Sequence, residues 1–235
     1  MVTSNKYDIS HLKQDEFQSS MGPIQDDEAL LLYALVKVIR PKTVVEFGFA
    51  FGSSSLNFLK ALDKDAKLYS YDIIEWNKNA SAFTDSRFKF HLKSQTDFDL
   101  TDVDNRIIDF VFFDDGHIFS VNSKAFNIIN DKIALNGILI VHDTGLHRHE
   151  YGDGCTCDAP KYCGGAHQKD ERVFINWILD NHPEWQVIQI HSFNFWRHGL
   201  TIMQKKYKLG VDTVDNKNCM PTLQSETIEN RKLRL

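Results

Sequence analysis

The sequence has no long apolar stretch and few cysteines, and each absence excludes a class of protein. No apolar run approaches the roughly 20 residues that a membrane-spanning helix needs. The polar segment from Met1 to Ser10 lacks the apolar core of a signal peptide. Three of the four cysteines lie between positions 155 and 163, unlike the spread of cysteines in a secreted disulfide framework. We therefore expect a cytoplasmic protein without a membrane partner.

The charge of the chain argues against nucleic acid as a partner. The formal net charge is -5, and the sequence has no block of basic residues. A hydrophobic content of 42% excludes a disordered chain, and 235 residues are enough for one domain with a full-sized core. We expect one domain over residues 1–205 with an insert at about 145–168, followed by a polar tail or extension over residues 206–235. The oligomeric state is open, and a homo-oligomer is one alternative.

Apolar runs alternate with amphipathic stretches along the chain. A helix is predicted over Gln25–Arg40, where Pro41 stops it. Further helices are predicted over residues 53–62, 120–133 and 171–181. Strands are predicted over residues 43–47, 67–71, 88–92, 107–113, 137–141, 185–190 and 200–204. This alternation predicts an α/β fold, a Rossmann-like, doubly wound, mostly parallel seven-stranded sheet with a terminal antiparallel hairpin.

Sheets of this kind bind ligands at the carboxyl ends of their strands, so the residues that follow each strand are candidates for the site. The first strand leads into Glu46-x-Gly48-x-x-x-Gly52, where glycine lets the backbone turn sharply and approach a ligand. Ser53 opens the next helix, whose free N–H groups can meet polar ligand atoms. The loop lacks the Gly-x-Gly-x-x-Gly pattern that cradles a pyrophosphate, and its width suits S-adenosylmethionine (SAM), which has no phosphate. Glu46 is then expected to face the methionine ammonium group.

The next two strand ends also carry polar side chains. Asp72 ends the second strand about 20 residues past the glycine loop, where a carboxylate can accept hydrogen bonds from both ribose hydroxyls. Ser94 and Gln95 follow the third strand and can hydrogen-bond an adenine edge. An ordinary glycine turn, a solvated acid and a polar loop are the alternative interpretations of these three features.

Taken in order, these motifs resemble the class I SAM-dependent methyltransferases. The glycine loop is fairly specific for that family and the ordered set is more so, while the Ser-Gln pair resembles the adenine-side motif of catechol O-methyltransferase. The similarity extends from about Gln25 to Gln204 and includes a terminal strand pair that resembles the family's end-of-sheet hairpin. The resemblance implies SAM as cofactor, bound by Glu46, Gly48, Gly52, Ser53, Asp72, Ser94, Gln95 and Asp114.

Acids and histidines follow the fourth and fifth strands. The fourth strand leads into Asp114 and, three positions on, His117, and the fifth leads into His142-Asp143. His117 is suited to act as a general base, because its unperturbed pKa is about 6.5. Asp114, His142 and Asp143 offer oxygen and nitrogen ligands for a divalent cation such as Mg or Mn. Asp115 is either a ligand in place of Asp114 or a turn residue.

This arrangement resembles the metal-dependent O-methyltransferases of catechols and macrolide sugars. In that family an acid ends the fourth strand, a basic residue lies three places on, and two ligands follow the fifth strand. His142 departs from the acid–acid or acid–amide pair that is commoner there. Methyltransferases of this shape that lack a metal use the same residues as hydrogen-bond partners, so metal use stays open. The expected reaction is methylation of a hydroxyl on a small molecule such as a sugar or a phenol, with N-methylation as an alternative.

A long segment rich in cysteine and histidine lies between the fifth strand and the next helix. Its spacing, Cys-x-Cys-x5-Cys-x3-His, supplies four zinc-ligand side chains, Cys155, Cys157, Cys163 and His167. The segment lacks the Cys-x-x-Cys knuckles of strong zinc motifs. A redox-labile cysteine pair and a lid over the acceptor pocket are therefore the alternatives to a zinc site.

Two other functions are compatible with the fold class. One is a nicotinamide-dependent oxidoreductase, which the absence of a Gly-x-Gly-x-x-Gly loop disfavours. The other is a non-catalytic SAM-binding protein, which the ionisable residues at two neighbouring strand ends disfavour. A SAM-dependent methyltransferase of small molecules is the function that the sequence favours.

Overall fold

Seven strands form one sheet in the computed structural model, which describes residues 24–75, 83–144, 169–190 and 199–206. The strands are β1 (Thr43–Phe47), β2 (Lys67–Asp72), β3 (Phe88–Leu92), β4 (Ile108–Phe113), β5 (Ile133–Val141), β6 (Trp185–Ile190) and β7 (Leu200–Lys205). The helices are α1 (Asp26–Ile39), α2 (Ser53–Ala61), α3 (Phe119–Ile129) and α4 (Lys169–Asn181). Short 3₁₀ turns lie at Gln95–Asp97, Leu100–Val103 and Asn130–Lys132.

The order of the strands across the sheet is β3-β2-β1-β4-β5-β7-β6. The strands β1 to β5 pair in parallel, and β7 pairs antiparallel with both β5 and β6. The chain winds outward from β1 to β3 and then back across to β4 and β5, so the switch point lies between β1 and β4. The predicted doubly wound, mostly parallel sheet with a terminal antiparallel hairpin is confirmed.

Buried side chains cover both faces of the sheet, because successive residues of a strand point to opposite faces. In β1, Val45 and Phe47 pack in the cluster that includes residues of α3 and α4, whereas Val44 packs in the cluster that includes residues of α1 and α2. All five residues of β1 are buried. The central strand is therefore held from both sides, and the loop that follows it starts from a fixed point.

The helix α1 begins and ends where the sequence predicts. In its first turn, Glu28 accepts a hydrogen bond from the backbone N–H of Gln25 at 2.9 Å, which closes the N-terminal turn. At the other end, Arg40 adopts a left-handed conformation with a φ of 54°, and its N–H donates to the carbonyl oxygen of Val36 at 2.8 Å. Pro41 follows directly and cannot continue the helix.

The strand β5 starts earlier than predicted, at Ile133 instead of Gly137, and α3 correspondingly ends at Ile129. Ile133 already pairs with β4, and the register then shifts before the regular ladder resumes at Ile138. Asn136 lies within this shift and has a φ of 65°. The irregularity interrupts the alternation of apolar and polar residues that indicates a strand. In the sequence, the first half of β5 therefore resembles a continuation of the preceding amphipathic helix.

Within the described ranges, no helix is both long enough and apolar enough to cross a membrane. The insert at residues 145–168 and residues 207–235 lie outside the described residues. The predicted division into a domain, an insert and a tail therefore stays a prediction, as do the cytoplasmic location and the oligomeric state.

Candidate active site

The ends of β1, β4 and β5 lie side by side at one edge of the sheet. Phe47 pairs with Phe113, and Phe113 pairs with Val141. The Asp114 N–H then donates to the carbonyl oxygen of Phe47 at 2.8 Å. The His142 N–H donates to the carbonyl oxygen of Phe113 at 2.9 Å. Backbone hydrogen bonds therefore hold the residues that follow these three strands next to one another.

The loop after β1 depends on two glycines. Gly48 has a φ of 96° and lies against the backbone of Asp114, so that a Cβ at position 48 would be 1.8 Å from the Asp114 carbonyl oxygen. Gly52 has a φ of 84° and immediately precedes α2, where a Cβ would be 2.6 Å from the ring of Phe83. Because L-residues rarely adopt such φ values, both positions require glycine. The contact of these glycines with SAM stays a prediction.

The Glu46 side chain is fully buried beside this loop. Its carboxylate accepts hydrogen bonds from the hydroxyls of Ser54 and Ser70, both at 2.5 Å, and from that of Ser55. Ser54 and Ser55 belong to the first turn of α2, which Ser53 opens. Glu46 therefore ties the start of α2 to β1 and β2, and its predicted contact with the methionine ammonium of SAM stays a prediction.

The ionisation of Glu46 links the stability of the protein to pH. Burial raises the pKa of Glu46 to about 7, even though the hydrogen bonds from the serines act in the opposite direction. A raised pKa means that the folded state binds this proton more tightly than the unfolded state does. The contribution of Glu46 to stability is therefore fully present below its unfolded pKa and is lost as the pH rises through its folded pKa.

Replacing Glu46 by glutamine is expected to remove this pH dependence, because glutamine does not ionise. Relative to the wild type, the free energy of unfolding of Glu46→Gln should rise by about 2 kcal/mol between about pH 5 and about pH 8. Urea unfolding at several pH values measures this difference. The control is Asp131→Asn, which makes the corresponding acid-to-amide change at a side chain that is 78% exposed. A flat difference for Glu46→Gln would show that this carboxyl group titrates normally.

Asp72 ends β2 and holds the glycine loop from the other side. One of its carboxylate oxygens accepts hydrogen bonds from the N–H of Phe49 at 3.1 Å and of Ala50 at 2.8 Å. The other oxygen accepts from the N–H of Ile74 at 3.0 Å. Each oxygen of an ionised carboxylate has two acceptor sites, so these bonds are compatible with a ligand hydroxyl on the same group. The predicted ribose contact of Asp72 stays a prediction.

The two polar residues after β3 bond within the protein. Ser94 caps the short turn that follows it by accepting a hydrogen bond from the N–H of Thr96 at 3.2 Å. The buried Gln95 side chain donates to the Asn122 side chain of α3 at 3.2 Å. These bonds anchor the turn to α3, and the predicted contact of Ser94 and Gln95 with adenine stays a prediction.

His142 lies inside the protein between two carboxylates. Its side chain is 1% exposed, its Nδ1 is 2.9 Å from Oδ1 of Asp114, and its Nε2 is 3.0 Å from Oε2 of Glu28. Burial acts to raise the pKa of Glu28, but the hydrogen bond and charge of His142 outweigh it and lower that pKa. Burial acts to lower the pKa of His142, but the charges of Asp114 and Asp143 raise it well above its usual value.

These contacts hold the ring of His142 at both of its nitrogens. Ionised carboxylates only accept hydrogen bonds, so both ring nitrogens of His142 donate in this arrangement. In this structure the ring of His142 lies between Asp114 and Glu28, and its role as a metal ligand stays a prediction.

His117 follows β4 in a left-handed conformation, with a φ of 58°. Its Nδ1 is 2.5 Å from Oε1 of Glu171 on α4, and its Nε2 is 3.3 Å from Oδ2 of Asp143. Burial acts to lower the pKa of His117, but the hydrogen bond and charge of Glu171, with the charges of Asp143 and Asp114, raise that pKa to about 9. The ring remains 27% exposed, so it lies at the boundary between the protein interior and solvent.

Three of the predicted residues form a group that can hold a metal ion. Asp114, His117 and Asp143 each offer one ligand atom, and these atoms lie within 4.8 Å of one another. Two carboxylates and an imidazole are a donor set that fits Mn or another first-row divalent cation. The group differs from the predicted one because His117 takes the place of His142, whose ring is turned toward Glu28.

The sequence did not identify two acids of this site, Glu28 and Glu171, and it offered Asp115 only as an alternative ligand or a turn residue. Glu28 is 3% exposed and Glu171 is 2% exposed, and both contact a histidine. Burial raises the pKa of Asp115 to about 7, although the charge of His117 opposes the shift. Glu28 had an ordinary explanation as an acid at a helix N-terminus, and nothing in the sequence around Glu171 singles it out.

The candidate zinc ligands lie elsewhere in the chain. Cys155, Cys157, Cys163 and His167 all fall outside the described residues. The zinc site stays a prediction, and elemental analysis of the purified protein would decide it.

Comparison with known proteins agrees with this geometry. Residues 45–144 match a family model described as a methyltransferase domain. The O-methyltransferase TomG of Streptomyces achromogenes, solved in complex with SAM, is 17% identical over 85% of this chain and 89% of its own, with a TM-score of 0.59. A Bacillus cereus O-methyltransferase in complex with S-adenosylhomocysteine is 16% identical over 84% and 87%, with a TM-score of 0.57. No curated protein matches the sequence.

A third structure, an S-adenosylhomocysteine-bound methyltransferase of Podospora anserina, has a TM-score of 0.61 at 15% identity over 85% of this chain and 87% of its own. At such identities these structures establish the fold, which is that of the Rossmann-like class I methyltransferases. The family model covers residues 45–144, less than half of the chain, and indicates a methyltransferase domain there. A methyltransferase domain disfavours the alternative of a nicotinamide-dependent oxidoreductase.

Proposed function

We propose that this methyltransferase transfers the methyl group of SAM to a hydroxyl of a small molecule, with His117 as the general base. The observation that carries the proposal is the group formed by Asp114, His117 and Asp143, whose ligand atoms lie within 4.8 Å of one another. This group follows β4 and β5, and the backbone of Asp114 lies directly against Gly48 of the glycine loop. A base and a cation-binding pair next to the loop assigned to the methyl donor are suited to deprotonating an acceptor hydroxyl.

The reaction assigns a defined task to His117. When a hydroxyl is methylated, its oxygen forms a bond to the methyl carbon, the bond from that carbon to the sulfur of SAM breaks, and the hydroxyl proton leaves. The Nδ1 of His117 is bonded to Glu171, which fixes the ring, and we assign Nε2, 3.3 Å from Oδ2 of Asp143, as the nitrogen that accepts the proton when the ring is neutral. Glu171 thereby acts as the carboxylate that orients the base.

A divalent cation fits the same place. Asp114 and Asp143 would hold it, and when bound it would lower the pKa of the acceptor hydroxyl and stabilise the deprotonated oxygen. The pKa of His117, which the two aspartates help to raise, would fall again once a cation offset their charges. Nε2 of His117 cannot be a metal ligand and a proton acceptor at the same time, so the two roles are alternatives, and we assign the base role.

The charge of the site supports a small acceptor over a nucleic acid. The acids that lie near the two histidines are Glu28, Asp114, Asp115, Asp143 and Glu171. Among the described residues that surround the two histidines, the site lacks the cluster of lysine and arginine side chains that would bind a phosphate backbone. It is compatible with an uncharged hydroxyl compound, and it favours the cationic sulfonium of SAM.

The proposal is tested by assaying the purified protein with methyl-labelled SAM and a panel of catechols, sugars and amines. We expect label in hydroxyl compounds, at least tenfold less turnover after treatment with EDTA, and recovery with Mg or Mn, for the reason that the cation activates the hydroxyl. Full activity in EDTA would contradict the metal assignment and leave the base assignment in place. Label in amines alone would overturn O-methylation, and no transfer to any acceptor would favour a SAM-binding protein without activity.

A further inference from the structure

Glu28 is a buried acid that lies far along the chain from Asp114, His117 and Asp143. It lies in the first turn of α1, and its side chain is 3% exposed. One oxygen accepts hydrogen bonds from Nε2 of His142 at 3.0 Å and from the N–H of Gln25 at 2.9 Å. The other accepts from the N–H of Gly199 at 2.6 Å. A single carboxylate thus joins the starts of α1 and β7 to the residue that follows β5.

The contact with His142 reaches the candidate active site. The opposite ring nitrogen of His142 donates to Asp114 at 2.9 Å, and Asp114 belongs to the group with His117 and Asp143. The ring is 1% exposed and is bonded at both ends, so its orientation is fixed. Asp114 is in turn held by its backbone bond to β1 and by this side-chain bond.

We infer that Glu28 is a positioning residue of the active site, which fixes the Asp114 carboxylate through the ring of His142. The inference rests on the proposed function, because it assigns Asp114 to the acceptor side of the reaction. Groups that orient the ligands of a catalytic cation typically change metal affinity or activity by about 10–100-fold when they are removed. Removing the Glu28 carboxylate takes away the acceptor that faces Nε2 of His142 and leaves the ring free to turn away from Asp114.

The test compares Glu28→Ala and Glu28→Gln with Leu32→Ala. Leu32 lies one turn further along α1, is fully buried, and belongs to the core cluster on that side of the sheet. Its truncation weakens the packing of α1 and removes no hydrogen-bond partner of His142, because leucine has no polar side-chain atom. Three properties are measured for each variant: kcat and KM for the acceptor, the affinity for SAM, and the affinity for Mn. Histidine ring N–H signals in NMR spectra report the hydrogen bonds of His142 without any turnover.

We expect Glu28→Ala to lower kcat about 10–100-fold and to weaken Mn binding, with SAM affinity changed less than about twofold. Glu28→Gln keeps the volume and part of the acceptor capacity, so it should recover a good part of kcat. Leu32→Ala should lose stability and keep kcat.

Equal losses of kcat in Glu28→Ala and Leu32→Ala at matched stability would overturn the inference, since they would show a purely structural role. The NMR readout separates this inference from the proposed function. If no acceptor is methylated, an altered His142 ring signal in Glu28→Ala, with an unaltered one in Leu32→Ala, still supports the positioning contact. An unaltered signal in both variants contradicts it.

Discussion

Replacing His117 by alanine is expected to lower turnover about 10²–10⁴-fold, which is the usual range for a lost general base. The affinity for SAM should change less than about twofold, because the His117 ring contacts Glu171 and Asp143, neither of which belongs to the glycine loop. Initial rates at saturating SAM give the loss in kcat, and calorimetry gives the SAM affinity.

A control and a second measurement make the His117 experiment decisive. His182→Asn alters a histidine beyond the far end of α4 that packs against Phe126, so it should retain activity even if it loses some stability. The Mn affinity of His117→Ala then distinguishes the two roles of the ring. Unchanged Mn affinity agrees with a base, whereas a loss of Mn affinity parallel to the loss of kcat identifies a metal ligand. An active His117→Ala variant would contradict both roles.

Replacing Gly48 by alanine is expected to weaken SAM binding more than about 100-fold. The added Cβ would be 1.8 Å from the carbonyl oxygen of Asp114, and its backbone would have to keep a φ of 96°. The carbonyl oxygen belongs to the main chain, and the backbone fixes the position of the Cβ, so side-chain rotation cannot relieve the collision. Calorimetry measures SAM affinity, and thermal unfolding shows whether the variant is folded.

Alanine substitutions at two further glycines test whether the loss of SAM affinity follows the severity of the steric clash. At Gly52 the added Cβ would meet the rings of Phe83 and Phe49, which can move, so Gly52→Ala should cost less SAM affinity although its φ of 84° remains strained. At Gly116 no atom lies within 4 Å of the added Cβ, so Gly116→Ala should bind SAM like the wild type. Normal SAM affinity in a folded Gly48→Ala variant would show that SAM binds away from this loop.

Much of the fold was predictable from local signals in the sequence. The strands Thr43–Phe47 and Phe88–Leu92 have the predicted bounds, since each is a short β-forming run bounded by turn residues. The first half of β5 could not be predicted, because a register shift and the left-handed conformation of Asn136 interrupt the alternation of apolar and polar residues on which strand prediction depends. A local pattern cannot indicate an irregularity that pairing with a neighbouring strand stabilises.

The residues of the candidate site were likewise predictable only in part. Asp114, His117 and Asp143 could be found because parallel strands bring their carboxyl ends to one edge, whatever their distance in the chain. Glu28 could not be found from the sequence, since it lies 114 positions from His142 and reaches it only through the packing of α1 against the sheet. Glu171 likewise approaches His117 from a helix that follows the long insert. Strand order predicts which strand ends meet, but it does not predict which helix side chain reaches them.

The contact between Gly48 and Asp114 also determines which mutations this protein tolerates. On one side of the contact is the loop assigned to the methyl donor, and on the other is the strand end assigned to the acceptor. The distance between the glycine loop and the strand end is therefore determined by peptide geometry, which is nearly invariant. It does not depend on side chains, whose rotamers and identities change. Neighbouring residues can vary without altering the distance over which the methyl group must travel, whereas any side chain at position 48 would lengthen that distance.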